Sequence, residues 1–213
     1  FKRMGDIVKG DIVFDMHGEY EKLASGSQPI AERYRIAGPG DLENPSTDII
    51  FLPYWLLNRE ELLSMILDRS DSNAPNQASR FTLHIRELKA QTLTTEGKTE
   101  ILKTFTVDSP IPFLMSDLLT LLKDDDTRKG VGKNGTAVKG EWEGKLTRFI
   151  SRLEAKLDDK TYGFMFQPAK EAQKYTWLSE MLCKLLGYFD ESPGIKIIDF
   201  SEVPSDVLPV VTG

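Results

Sequence analysis

The sequence is poor in the side chains that build covalently or metal-stabilised sites. Cys183 is its single cysteine, which excludes a disulfide scaffold within the chain. The only histidines are His17 and His84, so neither a zinc site nor a Ser-His-Asp or Cys-His catalytic arrangement can be argued. We therefore expect no metal site in these residues.

Long hydrophobic runs are missing as well. The longest, residues 49–57, is interrupted by Pro53, whereas a membrane-spanning helix needs roughly 20 apolar residues. No signal-peptide pattern opens the chain. These absences predict a cytoplasmic protein without a membrane partner.

The composition that remains is that of a globular protein. Hydrophobic residues make up 40% and charged residues 28% of the 213 residues, and the net charge is −6. Two short β-rich runs lead to the acids Asp15 and Asp199. The continuous apolar centre of the first run favours a buried parallel strand, and the second run also predicts a strand. Because helix signals fill the region between them, the sequence predicts an α/β fold with a mostly helical insertion.

Several local patterns place the helices. Asn58 followed by Glu61 has the spacing of a capping box. Apolar residues at a period of 3.6 predict a helix over residues 141–157. The almost wholly apolar residues 175–186 predict a buried helix, and residues 123–140 a polar loop.

Three segments resemble phosphate-binding motifs but lack the context that the chemistry needs. Gly97-Lys98-Thr99 follows no strong strand, and the first glycine of a P-loop would fall at Thr92. Residues 130–135 match the letters of a dinucleotide fingerprint but follow a charged stretch, which favours a flexible loop. Residues 197–199 imitate a Walker B strand, but Phe200 follows where a carboxylate is needed.

The residues after the first strand are the best candidates for a ligand site. Ligands bind at the carboxyl edge of open α/β sheets, and Asp15 stands where the strand reaches that edge. Its carboxylate suits a metal-bound water or a phosphate-linked proton, while Gly18 permits a turn barred to other residues. The alternative is a simple turn that Asp15 caps and in which His17 packs.

A second candidate surface is basic. Residues 128–156 carry a net positive charge within an acidic chain, and a basic loop leading into a basic helix edge could neutralise DNA phosphates. The alternative is a solvated helix flank whose lysine stems cover apolar surface. The candidate DNA contacts are Arg128, Lys129, Lys133, Lys139, Lys145, Arg148 and Arg152.

Four blocks of sequence together resemble the HerA family, a branch of the P-loop motor ATPases that pump DNA. The first resembles its second-strand signature, with Met16 where proline is usual. The blocks follow one another in the family's order and span nearly the whole chain. They are residues 12–20, 52–62, 148–166 and 197–204.

The resemblance implies part of a RecA-like P-loop NTPase sheet with a mostly helical inserted subdomain. The core segments would be residues 1–57 and 188–213, and the insertion residues 58–187. The nucleotide-proximal candidates are then Asp15, His17, Gly18 and Glu19.

The resemblance also sets expectations for function. It implies ATP hydrolysis with Mg²⁺ in a homo-hexamer, double-stranded DNA as the substrate, and a NurA-like nuclease as a partner. The chain starts at an apparent helix end over residues 1–8 and stops soon after a new helix begins. We therefore expect a central fragment without Walker A or Walker B, which binds no cofactor and hydrolyses no ATP alone. The alternative is a non-catalytic α/β interaction module of a defence or mobile-element system.

Overall fold

The computed structural model describes residues 11–187 and 194–209. It divides the chain into two compact units, residues 1–53 with 160–213 and residues 54–159. Residues 160–187 thus group with the sheet, although we predicted them in the insertion. The reason is local bonding: Phe164 O accepts the Leu52 N–H at 3.1 Å, and Thr47 O accepts Lys184 Nζ at 2.8 Å. The predicted helix end over residues 1–8 lies outside the described residues.

Three strands come first, helices and one hairpin follow, and a last strand comes near the end of the described residues. The strands are β1 (Asp11–Asp15), β2 (Ala31–Ile36), β3 (Ile49–Ile50), β4 (Gly130–Val131), β5 (Ala137–Val138) and β6 (Ile195–Asp199). The α-helices are α1 (Arg59–Ile66), α2 (Ala74–Thr95), α3 (Thr99–Thr104), α4 (Met115–Thr127), α5 (Thr147–Asp158), α6 (Gly163–Phe166) and α7 (Trp177–Leu185). Within the described residues, no helix combines the length and apolar character needed to cross a bilayer.

The first unit is built on a parallel four-stranded sheet in the order β1-β6-β2-β3. This confirms the predicted α/β class. Every residue of β6 is buried, as expected for a central strand. The prediction of a buried β1 was wrong in part, because β1 has one neighbour among the described strands and its Phe14 is 59% exposed.

Helix α7 is less buried than its composition predicts. Trp177 and Leu185 are buried, but Leu182 and Leu186 are each 46% exposed. Only one face of the helix is buried. Lys184 of this helix packs on β2, where its Nζ lies 4.7 Å from the centre of the Tyr34 ring. Apolar composition alone therefore overstated how many sides of this helix are covered.

The second unit is helical, and its first helix begins as predicted. Asn58 Oδ1 accepts the Glu61 N–H at 3.0 Å, and Glu61 Oε2 accepts the Asn58 N–H at 2.7 Å, which completes the capping box. Helix α4 packs against both α2 and α5. In this core the Phe81 and Phe149 rings meet edge to face at 5.5 Å.

Two boundaries in this unit differ from prediction. Helix α5 begins at Thr147 rather than near residue 141, because the Asp126 carboxylate accepts the Leu146 N–H at 2.7 Å and the Thr147 hydroxyl at 2.6 Å. The Leu146 N–H is one of the orphan backbone donors of a helix start. The segment predicted as a polar loop over residues 123–140 instead contains the end of α4 and an antiparallel hairpin of β4 and β5.

A buried polar network joins α2 to α4. Asp125 is 4% exposed, and its Oδ2 lies 2.6 Å from Arg80 Nε and 2.6 Å from His84 Nε2. His84 Nδ1 lies 3.0 Å from Glu87 Oε2. The Arg80 guanidinium also sits 5.2 Å from the Trp142 ring centre. The network satisfies side chains that would be costly to bury alone.

A buried lysine holds the segment that leads into α4. Lys89 is 1% exposed, and its ammonium donates to Val107 O at 2.6 Å and Ser109 O at 2.7 Å. Burial lowers its pKa to about 8, although the charge of Asp108 opposes that shift.

Candidate functional site

The two acid-terminated strands meet side by side, as the sequence predicts. In the parallel register of β1 and β6, Asp15 pairs with Asp199. The two carboxylates are 2% and 0% exposed. Both therefore lie at the carboxyl edge of one sheet, where open α/β sheets bind ligands.

Asp15 shapes the loop that follows it. Its Oδ1 accepts the backbone N–H groups of His17 at 3.2 Å and Glu19 at 3.1 Å, and its Oδ2 accepts that of Tyr20 at 3.0 Å. Gly18 makes the turn possible with a φ of +71°. Both carboxylate oxygens are therefore engaged. The exposed side chains of this loop are those of His17, Glu19 and Tyr20.

Asp199 is held in the same way by its own neighbours. Its Oδ1 accepts the Ser201 N–H at 2.8 Å, and its Oδ2 accepts Arg33 Nε at 3.1 Å and also Arg33 Nη2. Burial alone would raise the pKa of Asp199. The hydrogen bonds from Ser201 and the Arg33 guanidinium outweigh burial and hold that pKa below its usual value.

Arg33 connects this edge to the segment after the loop. Besides Asp199, its Nη1 lies 3.5 Å from Glu21 Oε1. Sequence reasoning missed Arg33 and Ser201 as parts of the site, and it treated Asp199 only as the end of a strand. One signal was available once the strands were paired. Arg33 in β2 is level with Ile197 in β6, two positions before Asp199, and residues two apart along a strand point to the same face.

These residues do not by themselves form a complete site for ATP and Mg²⁺. The 213 residues contain no Gly-x-x-x-x-Gly-Lys-Ser/Thr element to cradle phosphates. The carboxylate oxygens of Asp15 and Asp199 already accept hydrogen bonds from protein groups. Across residues 11–187 and 194–209, no group of three or more His, Cys, Asp or Glu side chains is placed to hold a metal ion. The edge can instead position a loop and present His17 and Glu19.

We expect Asp15→Asn to loosen this loop. An asparagine offers one acceptor oxygen, and its amide N–H₂ would face backbone donors, so roughly 2 kcal/mol of unfolding free energy should be lost. Hydrogen exchange at the amides of His17, Glu19 and Tyr20 should accelerate. Asp11→Asn is the matched control, because Asp11 opens the same strand and its carboxylate accepts no hydrogen bond from the described residues. Equal exchange in the two variants would contradict the role given to Asp15.

The structure separates the seven basic candidates into two groups. The first group is neutralised within the helical unit: Arg128 pairs with Asp124, Lys129 with Glu143, and Arg152 with Asp68 at 2.7 Å. These cations keep their charge, but neighbouring acids already compensate it.

The second group has no acid at ion-pairing distance among the described residues. Lys145 Nζ lies 5.3 Å from the Trp142 ring centre. Lys145 and Arg148 line an open cavity of about 410 Å³ beside Asp71. Hydrogen bonds from Ser70 lower the pKa of the nearby Asp68, and the charges of Arg152 and Arg148 lower it further. Lys133 and Lys139 lie on the exposed hairpin.

Comparison with known proteins identifies the family of this chain. A family model described as helicase HerA, central domain, matches residues 8–213. No curated protein matches the chain. Because the match covers nearly the whole chain, this protein belongs to the HerA helicase family and carries that family's central domain.

Proposed function

We propose that this chain is the central part of an ATP-driven translocase of double-stranded DNA. The observation that carries the proposal is the pairing of Asp15 with Asp199 at one carboxyl edge in a chain of the HerA family. Such an edge is the place where an α/β sheet meets its ligand. Lysines of the helical unit that form no ion pair with the described residues supply a surface suited to DNA phosphates.

Residues 1–213 supply only some of the groups that ATP hydrolysis needs, so we propose a division of labour between them and residues outside them. Residues 1–213 lack the lysine and hydroxyl that grip a triphosphate and its Mg²⁺, so alone they should not hydrolyse ATP. In the proposed cytoplasmic machine, those groups come from outside residues 1–213, six subunits assemble around the duplex, and a NurA-like nuclease works with them. Asp15 then acts by positioning the 16–20 loop at the sheet edge, and Asp199 by holding Ser201 and Arg33 there.

The test compares the full-length protein with the 213-residue chain. ATP turnover is measured with Mg²⁺, with and without linear duplex DNA. We expect DNA-stimulated turnover from the full-length protein and none from the 213-residue chain. Turnover from the 213-residue chain would refute the proposed division of labour.

A non-catalytic interaction module is the second candidate. It is favoured by one observation, that protein donors already occupy the oxygens of both edge carboxylates. The same assay decides between the two. A full-length protein that neither hydrolyses ATP nor binds duplex DNA, yet captures a protein partner, would establish the module instead.

A further inference from the structure

The segment that sequence analysis treated as a flexible loop is a defined hairpin. In it, Gly130 pairs with Val138 and Val131 with Ala137. The turn is closed by hydrogen bonds from Gly132 N–H to Thr136 O at 2.8 Å and from Gly135 N–H to Gly132 O at 3.0 Å. The glycines that imitate a dinucleotide fingerprint therefore build a β-turn rather than a phosphate cradle.

The base of the hairpin is tightly anchored. Glu143 Oε2 accepts the Gly140 N–H at 2.9 Å, and Glu143 Oε1 pairs with Lys129. A Cβ at residue 140 would lie 1.9 Å from Arg128 O, so only glycine fits there. The two ends of the hairpin are thus held together, and its tip projects from a fixed position.

The charge of the hairpin is of one sign. No acid occurs between Thr127 and Gly140. Arg128 and Lys129 at the base are paired with acids. Among the described residues, Lys133 near the tip and Lys139 form no ion pair, although Lys139 is close enough to Glu143 for its charge to act on that carboxylate.

Apolar side chains lie next to these two lysines. Val131 is 83% exposed and Val138 is 44% exposed. Exposed valines on a short hairpin contribute nothing to the core of the unit. A surface that combines unpaired lysines with small apolar groups matches a nucleic-acid backbone, where phosphates alternate with apolar sugar faces.

We propose that the hairpin of residues 130–139 is the DNA-contacting element of the helical unit. Lys133 and Lys139 bind backbone phosphates, and Val131 packs against the sugars between them. An acidic protein surface is the competing partner. Nucleic acid is favoured because the hairpin has no acid, and because Asn134 and Thr136 are its only polar side chains other than the lysines. A specific protein interface would need more hydrogen-bonding side chains to set the position of its partner. The inference rests on the proposed translocase function, and it identifies the residues of the helical unit that contact the DNA.

The experiment uses the full-length protein and a short fluorescent DNA duplex. Binding is measured by anisotropy between roughly 50 and 200 mM salt. Each lost phosphate contact removes about 0.9 from the slope of log K against log salt concentration. Lys133→Gln with Lys139→Gln should therefore flatten the slope by nearly two units and weaken binding about tenfold at low salt. Val131→Ser should weaken binding severalfold without changing the slope.

Lys103→Gln with Lys123→Gln is the matched control. It removes the same charge from two exposed lysines of the same unit, which are paired with Glu100 and Glu154. The control should leave both slope and affinity unchanged. If the parent binds duplex but the hairpin variant keeps the parental slope, the hairpin proposal is overturned and the translocase proposal stands.

Two other outcomes also decide against the hairpin. If the parent binds no duplex at any salt concentration, both the proposed function and the hairpin contact are refuted. If the variant keeps the parental slope but loses a subunit or protein partner in size-exclusion chromatography, the hairpin is a protein interface instead.

Discussion

Asp125→Asn should lower the free energy of unfolding of the helical unit by about 3 kcal/mol. Asp125 is 4% exposed and receives both Arg80 and His84 on one oxygen. An asparagine cannot compensate the Arg80 charge, and in one of its two orientations it turns N–H₂ toward these groups. The change therefore leaves a guanidinium that is 18% exposed without its counter-ion.

Asp124→Asn is a close control for this prediction. Asp124 is the preceding residue in the same helix and also pairs with an arginine, but both it and Arg128 are largely exposed. Surface pairs of this kind contribute little, so the urea midpoint should hardly move. Trp55 and Trp142 report on the helical unit by fluorescence, since both lie within residues 54–159. Equal midpoints for the two variants would show that the network does not stabilise the unit.

Lys89 should make the helical unit more stable as the pH rises. Burial lowers the pKa of Lys89 from 10.5 to about 8. Between these values the unfolded chain holds a proton that the folded chain has released, so the free energy of unfolding increases with pH. At 1.36 kcal/mol per pKa unit, the full effect is roughly 3 kcal/mol. The gain is complete above the unfolded pKa and is lost as the pH falls to about 8.

The measurement is urea unfolding of the parent and of Lys89→Met at pH 7 and pH 10. The difference between parent and variant should change by roughly 2 to 3 kcal/mol in favour of the parent at the higher pH. The series stops at pH 10 because burial raises the pKa of Tyr54, and that group destabilises the fold at higher pH. A constant difference across the range would mean that Lys89 keeps its proton in the folded chain.

The features that followed from the sequence are those set by neighbouring residues. The capping box of Asn58 and Glu61, the parallel strands ending at Asp15 and Asp199, and the resemblance to the HerA family all depend on short patterns. Helix and strand propensities act over a few residues, and so such patterns can be recognised before folding is considered.

Errors arose where a contact from elsewhere in the chain changes a local preference. The apolar period over residues 141–157 predicts a longer helix than α5, because Asp126 on α4 caps its start at Thr147. The glycines of residues 130–135 suggest flexibility, yet the cross-strand hydrogen bonds of β4 and β5 give them a defined shape. Asp126 lies 20 positions from Leu146, outside a local window of sequence, whereas the pairing of β4 with β5 is local and could have been recognised.

The order of residues is enough to identify an α/β chain of the HerA family with two acidic strand ends and a basic middle. The roles of those charges depend on how the chain folds. The tertiary structure brought Arg33 to Asp199 across 166 positions of the chain, and it used the oxygens of Asp15 to hold a loop. It also paired three of the seven basic candidates with acids, and within residues 11–187 and 194–209 it left the hairpin lysines without an ion pair. Charge is a property of composition, but compensation of charge depends on distance, and distances between remote residues exist only once the chain has folded.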